Sequence, residues 1–140
     1  MKTILVVANE TLGGRSLLDA LKAKVDAEEE KERSRLFIVV IPLEGGDGQA
    51  TRRARTRLKL VLDRLHQAGM YGAGMIGDPD PYTAIMNALQ HFRVDDILIS
   101  TFPETKSGWL RADLIERVRR TTNLPVEHVV QEDPSDTAAA

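Results

Sequence analysis

The run TILVVA, Thr3–Ala8, decides the fold, because six apolar or β-branched residues follow one another without polar alternation. A strand of this kind is buried on both faces, which is typical of a parallel sheet covered by helices on each side. Three further runs share this character: RLFIVVI at Arg35–Ile41, DILIS at Asp96–Ser100 and VEHVV at Val126–Val130. A weaker run is YGAGMIG at Tyr71–Gly77. We therefore predict five strands.

Four apolar stripes at helical spacing occupy the intervals between the strands. Their members are Leu17, Leu18, Leu21 and Val25; Leu58, Val61, Leu62 and Leu65; Ile85, Ala88, Leu89 and Phe92; and Leu110, Leu114, Ile115 and Val118. Strands that alternate with helices predict a three-layer α/β sandwich, and right-handed crossovers place helices on both faces of its five-stranded parallel sheet. We expect one domain over 1–130 and a flexible tail over 131–140.

Composition and charge exclude several classes of protein. The formal net charge is −2, which gives no overall attraction to nucleic acid or to a membrane surface. The chain has no cysteine, so disulfides, thiolate metal sites and cysteine nucleophiles are excluded. No apolar run is long enough to span a bilayer, and MKTILVVANE at Met1–Glu10 lacks the features of a signal peptide. We therefore expect a cytoplasmic protein without nucleic-acid or membrane partners.

The residue types that usually carry metal or hydrolytic chemistry are scattered along the chain. His66, His91 and His128 lack a second histidine or a carboxylate at ligand spacing, so we expect no metal. Ser100 and His128 could form a triad with an acid, but no G-x-S-x-G elbow supports one. The sequence therefore predicts no catalytic residues.

Two motifs resemble nucleotide-binding or nucleic-acid-binding motifs. GAGMIG at Gly72–Gly77 matches G-x-G-x-x-G, but the motif is itself a strand, and Pro79 and Pro81 prevent a helix at its third glycine. The basic run TRRARTRLK at Thr51–Lys59 has no aromatic residues interleaved with its arginines, as a single-strand binder would have. We interpret it as a solvated helix face.

The loops at the carboxyl ends of the first and fourth strands are the candidate ligand site, because open α/β sheets bind ligands at this edge. Asn9 would meet a polar group of the ligand, and Ser100 and Thr101 would form the floor. In the second loop, STFPETKSGW, the anion contacts and the cover of the pocket would come from Lys106, Ser107, Gly108 and Trp109. The alternative is that Ser107 only caps an ordinary helix.

Three stretches of the sequence carry a family likeness: KTILVVANET, GDPDPYTAIMNALQHFRVDDILIS and LPVEHVV. On these stretches the chain resembles the universal stress protein family over Lys2–Val130. The residues at matching places are Gly77, Pro79, Ile85, Ala88 and either Asp95 or Asp96. The resemblance implies a Rossmann-like sheet of order 3-2-1-4-5, in which the two candidate loops face each other. It also implies an adenine pocket beside Ala8, Val40, Ile41 and Pro42.

The chain departs from the ATP-binding members of that family. Of the glycine motif that follows their fourth strand only Gly108 remains, and Thr101 stands where a glycine is often found. Asp113 lies in the region that would hold phosphate, and Asn9 replaces the acidic residue after the first strand. An acidic side chain there would oppose a triphosphate.

The resemblance implies a non-catalytic stress-response protein that binds an AMP-like nucleotide or another small anion. One alternative is a ligand-free, dimeric protein-interaction or regulatory module. For either role we predict a homodimer in which the Val126–Val130 edge strands of two copies are antiparallel. A third alternative, which we rank last, is an enzyme of the same superfamily that transfers or hydrolyses phosphate.

Overall fold

The computed structural model describes residues 2–12, 14–26, 35–43, 48–103 and 108–132. Strands and helices alternate through most of this part of the chain. In order they are β1 (Lys2–Val7), α1 (Arg15–Asp26), β2 (Arg35–Pro42), α2 (Gly48–Gln67), β3 (Tyr71–Gly77), α3 (Pro81–His91), β4 (Asp96–Thr101), α4 (Gly108–Arg111), α5 (Leu114–Thr122) and β5 (Val126–Val130). No helix in the described ranges is long and apolar enough to cross a membrane.

The five strands form one parallel sheet of order β3-β2-β1-β4-β5, which confirms the predicted fold class and strand order. β1 lies at the centre, where Val7 is in register with Val40 on one side and with Ile99 on the other. After β1, the chain adds β2 and β3 on one side of it and then adds β4 and β5 on the other side. The carboxyl end of β1 is therefore the switch point at which such sheets bind ligands.

The continuous apolar character of β1 follows from burial on both faces of the sheet. Ile4 and Val6 belong to a core that includes residues of α1 and α2. Leu5 and Val7 belong to a second core formed with α3 and α5. All four side chains are at most 1% exposed, so neither side of the strand tolerates a polar residue.

The glycines of β3 serve helix packing. A Cβ atom at Gly72 would lie 2.9 Å from a methyl carbon of Leu62, and one at Gly74 would collide with Leu58. Both leucines belong to the apolar stripe of α2, so the missing side chains let this helix approach the strand. The G-x-G-x-x-G sequence is thus a strand, as predicted, and its spacing reflects contact with α2.

The last two apolar stripes differ from the prediction, one by an internal break and the other at its end. The stripe predicted as a single helix is divided between α4 and α5, because Asp113 has a left-handed backbone with φ of 61°. Aspartate tolerates this conformation better than most residues, since its side chain can hydrogen-bond locally. On α3, Phe92 is the C-cap residue and is 37% exposed, so the buried stripe ends before it.

Candidate functional site

A cavity of about 420 Å³ opens at the carboxyl ends of β1 and β4. The two strands are hydrogen-bonded neighbours, in register up to Val7 and Ile99, so their carboxyl ends and the loops that follow lie side by side. The volume falls within the range of about 300–1,000 Å³ that is usual for small-molecule sites. Six predicted site residues line the cavity: Asn9, Pro42, Ser100, Thr101, Gly108 and Trp109. Its wall also contains Glu10, Thr11, Leu43, Ala50, Arg53, Arg57, Pro79 and Phe102.

Other residues named from the sequence lie elsewhere. Ala8, Val40 and Ile41 are buried in the core beneath the cavity and do not line it. Lys106 and Ser107 lie outside the described residues.

Asp113 is not among the residues that line the cavity. Its carboxylate is exposed and lies 3.8 Å from the guanidinium of Arg120. The expectation that Asp113 would oppose a phosphate in this cavity therefore does not hold. The reason is the break between α4 and α5, which places Asp113 at the N-cap of α5.

The floor of the cavity is a pair of buried hydroxyl groups. Ser100 Oγ donates a hydrogen bond of 2.7 Å to Thr11 Oγ1, which in turn donates to the carbonyl oxygen of Ser100 at 3.3 Å. Both residues are less than 5% exposed. Because each hydroxyl hydrogen is already donated within the pair, Ser100 and Thr11 can accept from a ligand but do not offer it a free donor.

The hydroxyl of Thr101 likewise has no free hydrogen to donate to a ligand. Its Oγ1 donates to the carbonyl oxygen of Phe102 at 2.7 Å and lies 2.8 Å from Nε2 of His128 on β5. A hydroxyl group has one hydrogen to donate, so while Thr101 donates to Phe102, the His128 contact needs a proton on Nε2; in the other tautomer of His128, Thr101 would donate to Nε2 instead. Thr101 therefore connects the cavity to the edge strand β5.

The cationic residues of the site come from α2. Arg57 Nη2 donates a hydrogen bond of 2.7 Å to Asn9 Oδ1, and Asn9 Nδ2 donates to the carbonyl oxygen of Pro42 at 3.2 Å. The ends of β1 and β2 are thereby tied to the helix that connects β2 with β3. Asn9, which we expect to meet the ligand, lines the cavity and also orients an arginine that can contact a ligand.

The positive charge of Arg57 is only partly compensated by the groups around it. Burial lowers the pKa of Arg57, the Glu10 carboxylate acts in the opposite direction, and the Arg53 guanidinium lowers it further. Arg57 Nε is buried, and it has no hydrogen-bond partner within the described part of the chain. Arg53 lies one helical turn before Arg57 on the same wall of the cavity. An anion between the two guanidinium groups would reduce their repulsion.

Sequence analysis missed Arg53 and Arg57 as site residues, because it assigned the whole basic run to a solvated face. Arg52, Arg53, Arg55 and Lys59 are exposed, which agrees with that prediction, although Arg53 also lines the cavity. Arg57 is only partly exposed. The sequence could have indicated this position of Arg57, because it lies four residues before Val61, a member of the buried stripe. That spacing puts Arg57 at the border between the core and solvent.

The arrangement is suited to binding an anion. Among the described residues that line the cavity, Glu10 carries the one carboxylate, while two guanidinium groups face the same space. Within the described residues, no group of three or more histidine, cysteine, aspartate or glutamate side chains could hold a metal ion. The half-buried Trp109 and Phe102 add aromatic surface that could contact a planar ring.

Comparison of the sequence with protein-family models and with curated proteins gave no match. Among solved structures, a universal stress protein from Archaeoglobus fulgidus matches with a TM-score of 0.65 at 14% identity, over 92% of this chain and 93% of that chain. A universal stress protein family protein from Arabidopsis thaliana with AMP bound matches with a TM-score of 0.60 at 14% identity, over 97% and 99% of the two chains. The Archaeoglobus fulgidus protein in complex with dAMP gives a TM-score of 0.64 at 14% identity, over 92% and 98%. The chain therefore has the universal stress protein fold, as its sequence resemblance implied.

Proposed function

We propose that the cavity binds an adenine mononucleotide such as AMP and that the protein acts as a non-catalytic nucleotide-binding regulator. The observation that carries the proposal is the pair Arg53 and Arg57, whose guanidinium groups share one cavity wall at the switch point of the sheet. Proteins of the same fold with AMP or dAMP bound support the choice of ligand.

In this proposal the phosphate group lies against α2. A dianion between Arg53 and Arg57 would accept charge-assisted hydrogen bonds from their guanidinium groups. The sequence instead suggested the loop before Gly108 as the anion site. Helix α4 has only four residues, so its dipole contributes little there. Lys106 stays a predicted additional contact.

The adenine ring would lie among the aromatic and apolar residues of the opposite wall. Trp109 and Phe102 present aromatic surface, while Pro42 and Leu43 present aliphatic surface. Stacking of a base on an aromatic side chain contributes about 1–3 kcal/mol, and this term depends little on the identity of the base. The cavity therefore offers separate places for the base and for the phosphate.

A binding role, without chemistry on the phosphate, is supported by the state of the hydroxyl groups in the cavity. Thr11 and Ser100 donate their hydrogens to other protein atoms, and neither forms a hydrogen bond with a carboxylate or an imidazole of the described residues. Thr101 Oγ1 lies 2.8 Å from Nε2 of His128, but it donates to the carbonyl oxygen of Phe102, and His128 does not line the cavity. Phosphoryl transfer normally needs a positioned base and bound metal ions.

Titration calorimetry with AMP and adenosine tests the proposal. We expect AMP to bind at least about tenfold more tightly than adenosine, because a hydrogen bond to a charged group is worth about 1.5–3 kcal/mol. Arg57→Met should remove that difference, while Arg55→Met, an exposed arginine of α2 that does not line the cavity, should preserve it. Equal affinities for AMP and adenosine, or an equal effect of both variants, would contradict the proposal.

A second role, as a homodimer that pairs through β5, is favoured by the position of this strand at the edge of the sheet. Its valines Val126, Val129 and Val130 are only partly buried in the single chain. Exposed edges of this kind are commonly covered by another chain. Dimerisation and nucleotide binding are compatible, since β5 does not line the cavity.

A further inference from the structure

The N-terminus of helix α1 is capped by a residue that is distant in sequence. Gly14 directly precedes the helix, and glycine has no side chain that could accept a hydrogen bond from the first turn. The acceptor is Oε1 of Gln131, which follows β5 and receives a hydrogen bond of 3.1 Å from the backbone N–H of Ser16, 115 positions away. Ser16 is the second residue of α1, which is a position that an N-cap side chain normally serves.

The Gln131 side chain is enclosed, and Gly14 makes room for it. Gln131 is only 3% exposed. A Cβ atom at Gly14 would lie 2.6 Å from Gln131 Oε1 and 2.9 Å from the carbonyl oxygen of Thr11. Both distances are shorter than van der Waals contact allows, so a glycine at this position lets the Gln131 amide reach the helix.

The backbone of Gln131 contacts the other side of the cavity. Its N–H group donates a hydrogen bond of 2.8 Å to the carbonyl oxygen of Thr101, the last residue of β4. Thr101 lines the cavity, whereas Gln131 does not. Gln131 therefore joins the end of β4 to the start of α1, and the loops at these two places form the cavity.

The residues between β1 and α1 form one wall of the cavity, to which Asn9 and Thr11 contribute. Two turn hydrogen bonds shape this wall, from Leu12 N to the carbonyl oxygen of Asn9 at 3.1 Å and from Gly14 N to that of Thr11 at 2.9 Å. The wall begins at the central strand of the sheet and ends where α1 begins. Its far end therefore lies at the hydrogen bond that Gln131 accepts.

We infer that Gln131 is a positioning residue of the cavity, which holds the wall between β1 and α1 in place without touching a ligand. A wall that is ordered before the ligand arrives does not have to be ordered at the expense of affinity. The part of this inference that concerns ligand affinity rests on the proposed function.

Amide hydrogen exchange of the full chain, followed by NMR, tests the positioning itself. Gln131→Met keeps the length of the side chain and removes the acceptor, so the amides of Leu12, Gly14 and Ser16 should exchange about fivefold faster, as for loss of a helix N-cap. Gln131→Glu keeps an acceptor beside the Ser16 N–H group and should preserve slow exchange. The control is Gly74→Val, which would collide with a side chain of α2 and destabilise the whole fold at a distance from this wall. It should leave these three amides nearly unchanged.

Two results of the exchange experiment would overturn the inference. One is equal acceleration of the three amides in Gln131→Met and in Gly74→Val, because the effect would then be general loss of stability. The other is exchange in Gln131→Glu as fast as in Gln131→Met, because the hydrogen bond to Ser16 would then not hold the wall.

Titration calorimetry with AMP measures the consequence for binding. We expect Gln131→Met to bind AMP about fivefold more weakly than wild type, because ordering of the wall becomes a cost of binding. Gly74→Val should keep the wild-type affinity, since general destabilisation does not alter the cavity of the folded protein. If wild type and Gln131→Met bind AMP equally, the role of Gln131 in binding is wrong and the proposed function stands. If wild type does not bind AMP, the proposed function fails, and hydrogen exchange still decides whether Gln131 positions the wall.

Discussion

Asn9 and Arg57 lie 48 positions apart in the chain and are joined by a hydrogen bond of 2.7 Å across the mouth of the cavity. Asn9 follows the central strand, and Arg57 lies in the middle of α2. The contact fixes the guanidinium group of Arg57 before any ligand arrives. Since side-chain ordering is one of the costs of binding, a preformed contact of this kind favours affinity.

A double-mutant cycle measures this contact. Asn9→Ala and Arg57→Met should each lower the free energy of unfolding, and the double variant should lose less than the sum by about 0.5–1.5 kcal/mol. Urea denaturation of the four proteins gives the coupling energy. The same cycle with Arg55→Met should show no coupling, because Arg55 is exposed and does not line the cavity. Coupling of equal size in both cycles would contradict a specific Asn9–Arg57 contact.

Substitution of Gly74 tests the packing of α2 on β3. Gly74→Val should destabilise the protein by about 1–3 kcal/mol, because the new side chain would occupy the space that Leu58 fills. The control is Ala73→Val on the same strand, where the residue is exposed and a β-branched side chain suits the conformation. Thermal and urea unfolding should leave the control nearly unchanged. A neutral Gly74→Val variant would show that α2 does not depend on this close approach.

The fold could be predicted from the sequence because buried strands and helices place their apolar residues in different, recognisable patterns. β1 is buried on both faces, and its run of apolar residues shows this directly. The strands β3 and β5 end where the sequence predicted, although β3 has glycines and exposed residues. The break at Asp113 was missed because a left-handed residue between two helical segments leaves the apolar spacing almost unchanged.

The candidate site was predictable only in part, because its cations come from an element distant in sequence. The loops after β1 and β4 could be placed together from topology, and Asn9, Thr101 and Trp109 do line one cavity. The role of Arg57 depends on how α2 is rotated against the sheet, which the stripe of leucines limits but does not fix. Hydrogen bonds that occupy the Ser100 and Thr101 hydroxyls likewise depend on side-chain geometry.

The orientation of β5 gives a test of dimerisation. Gln131 N donates to the carbonyl oxygen of Thr101, and Ile97 N donates to that of Pro125, so the backbone groups of these odd-numbered positions face β4. By strand alternation, those of His128 and Val130 face outward. Val130→Pro removes an outward N–H group without removing a bond to β4.

We expect wild type to sediment as a dimer at high micromolar concentration and Val130→Pro to sediment as a folded monomer. Circular dichroism of the variant confirms that the fold is kept. A wild-type monomer at that concentration would count against the dimer, and so would a variant that stays dimeric.

The stability of the protein should fall in mild acid because of His128. Burial lowers the pKa of His128, and the nearby Arg119 guanidinium lowers it further. The unfolded chain, in which histidine has its ordinary pKa of about 6.5, therefore takes up this proton at a higher pH than the folded protein does. It follows that the stabilisation from neutral His128 is fully present above about pH 6.5 and is lost as the pH falls through the pKa of the folded state.

Urea midpoints measured between pH 7.5 and pH 5 should decrease in wild type and less in His128→Gln, whose amide can still donate to Thr101. The control His66→Gln, at an exposed position of α2, should keep the wild-type slope, whereas an unchanged slope in His128→Gln would show that His128 is not the titrating group.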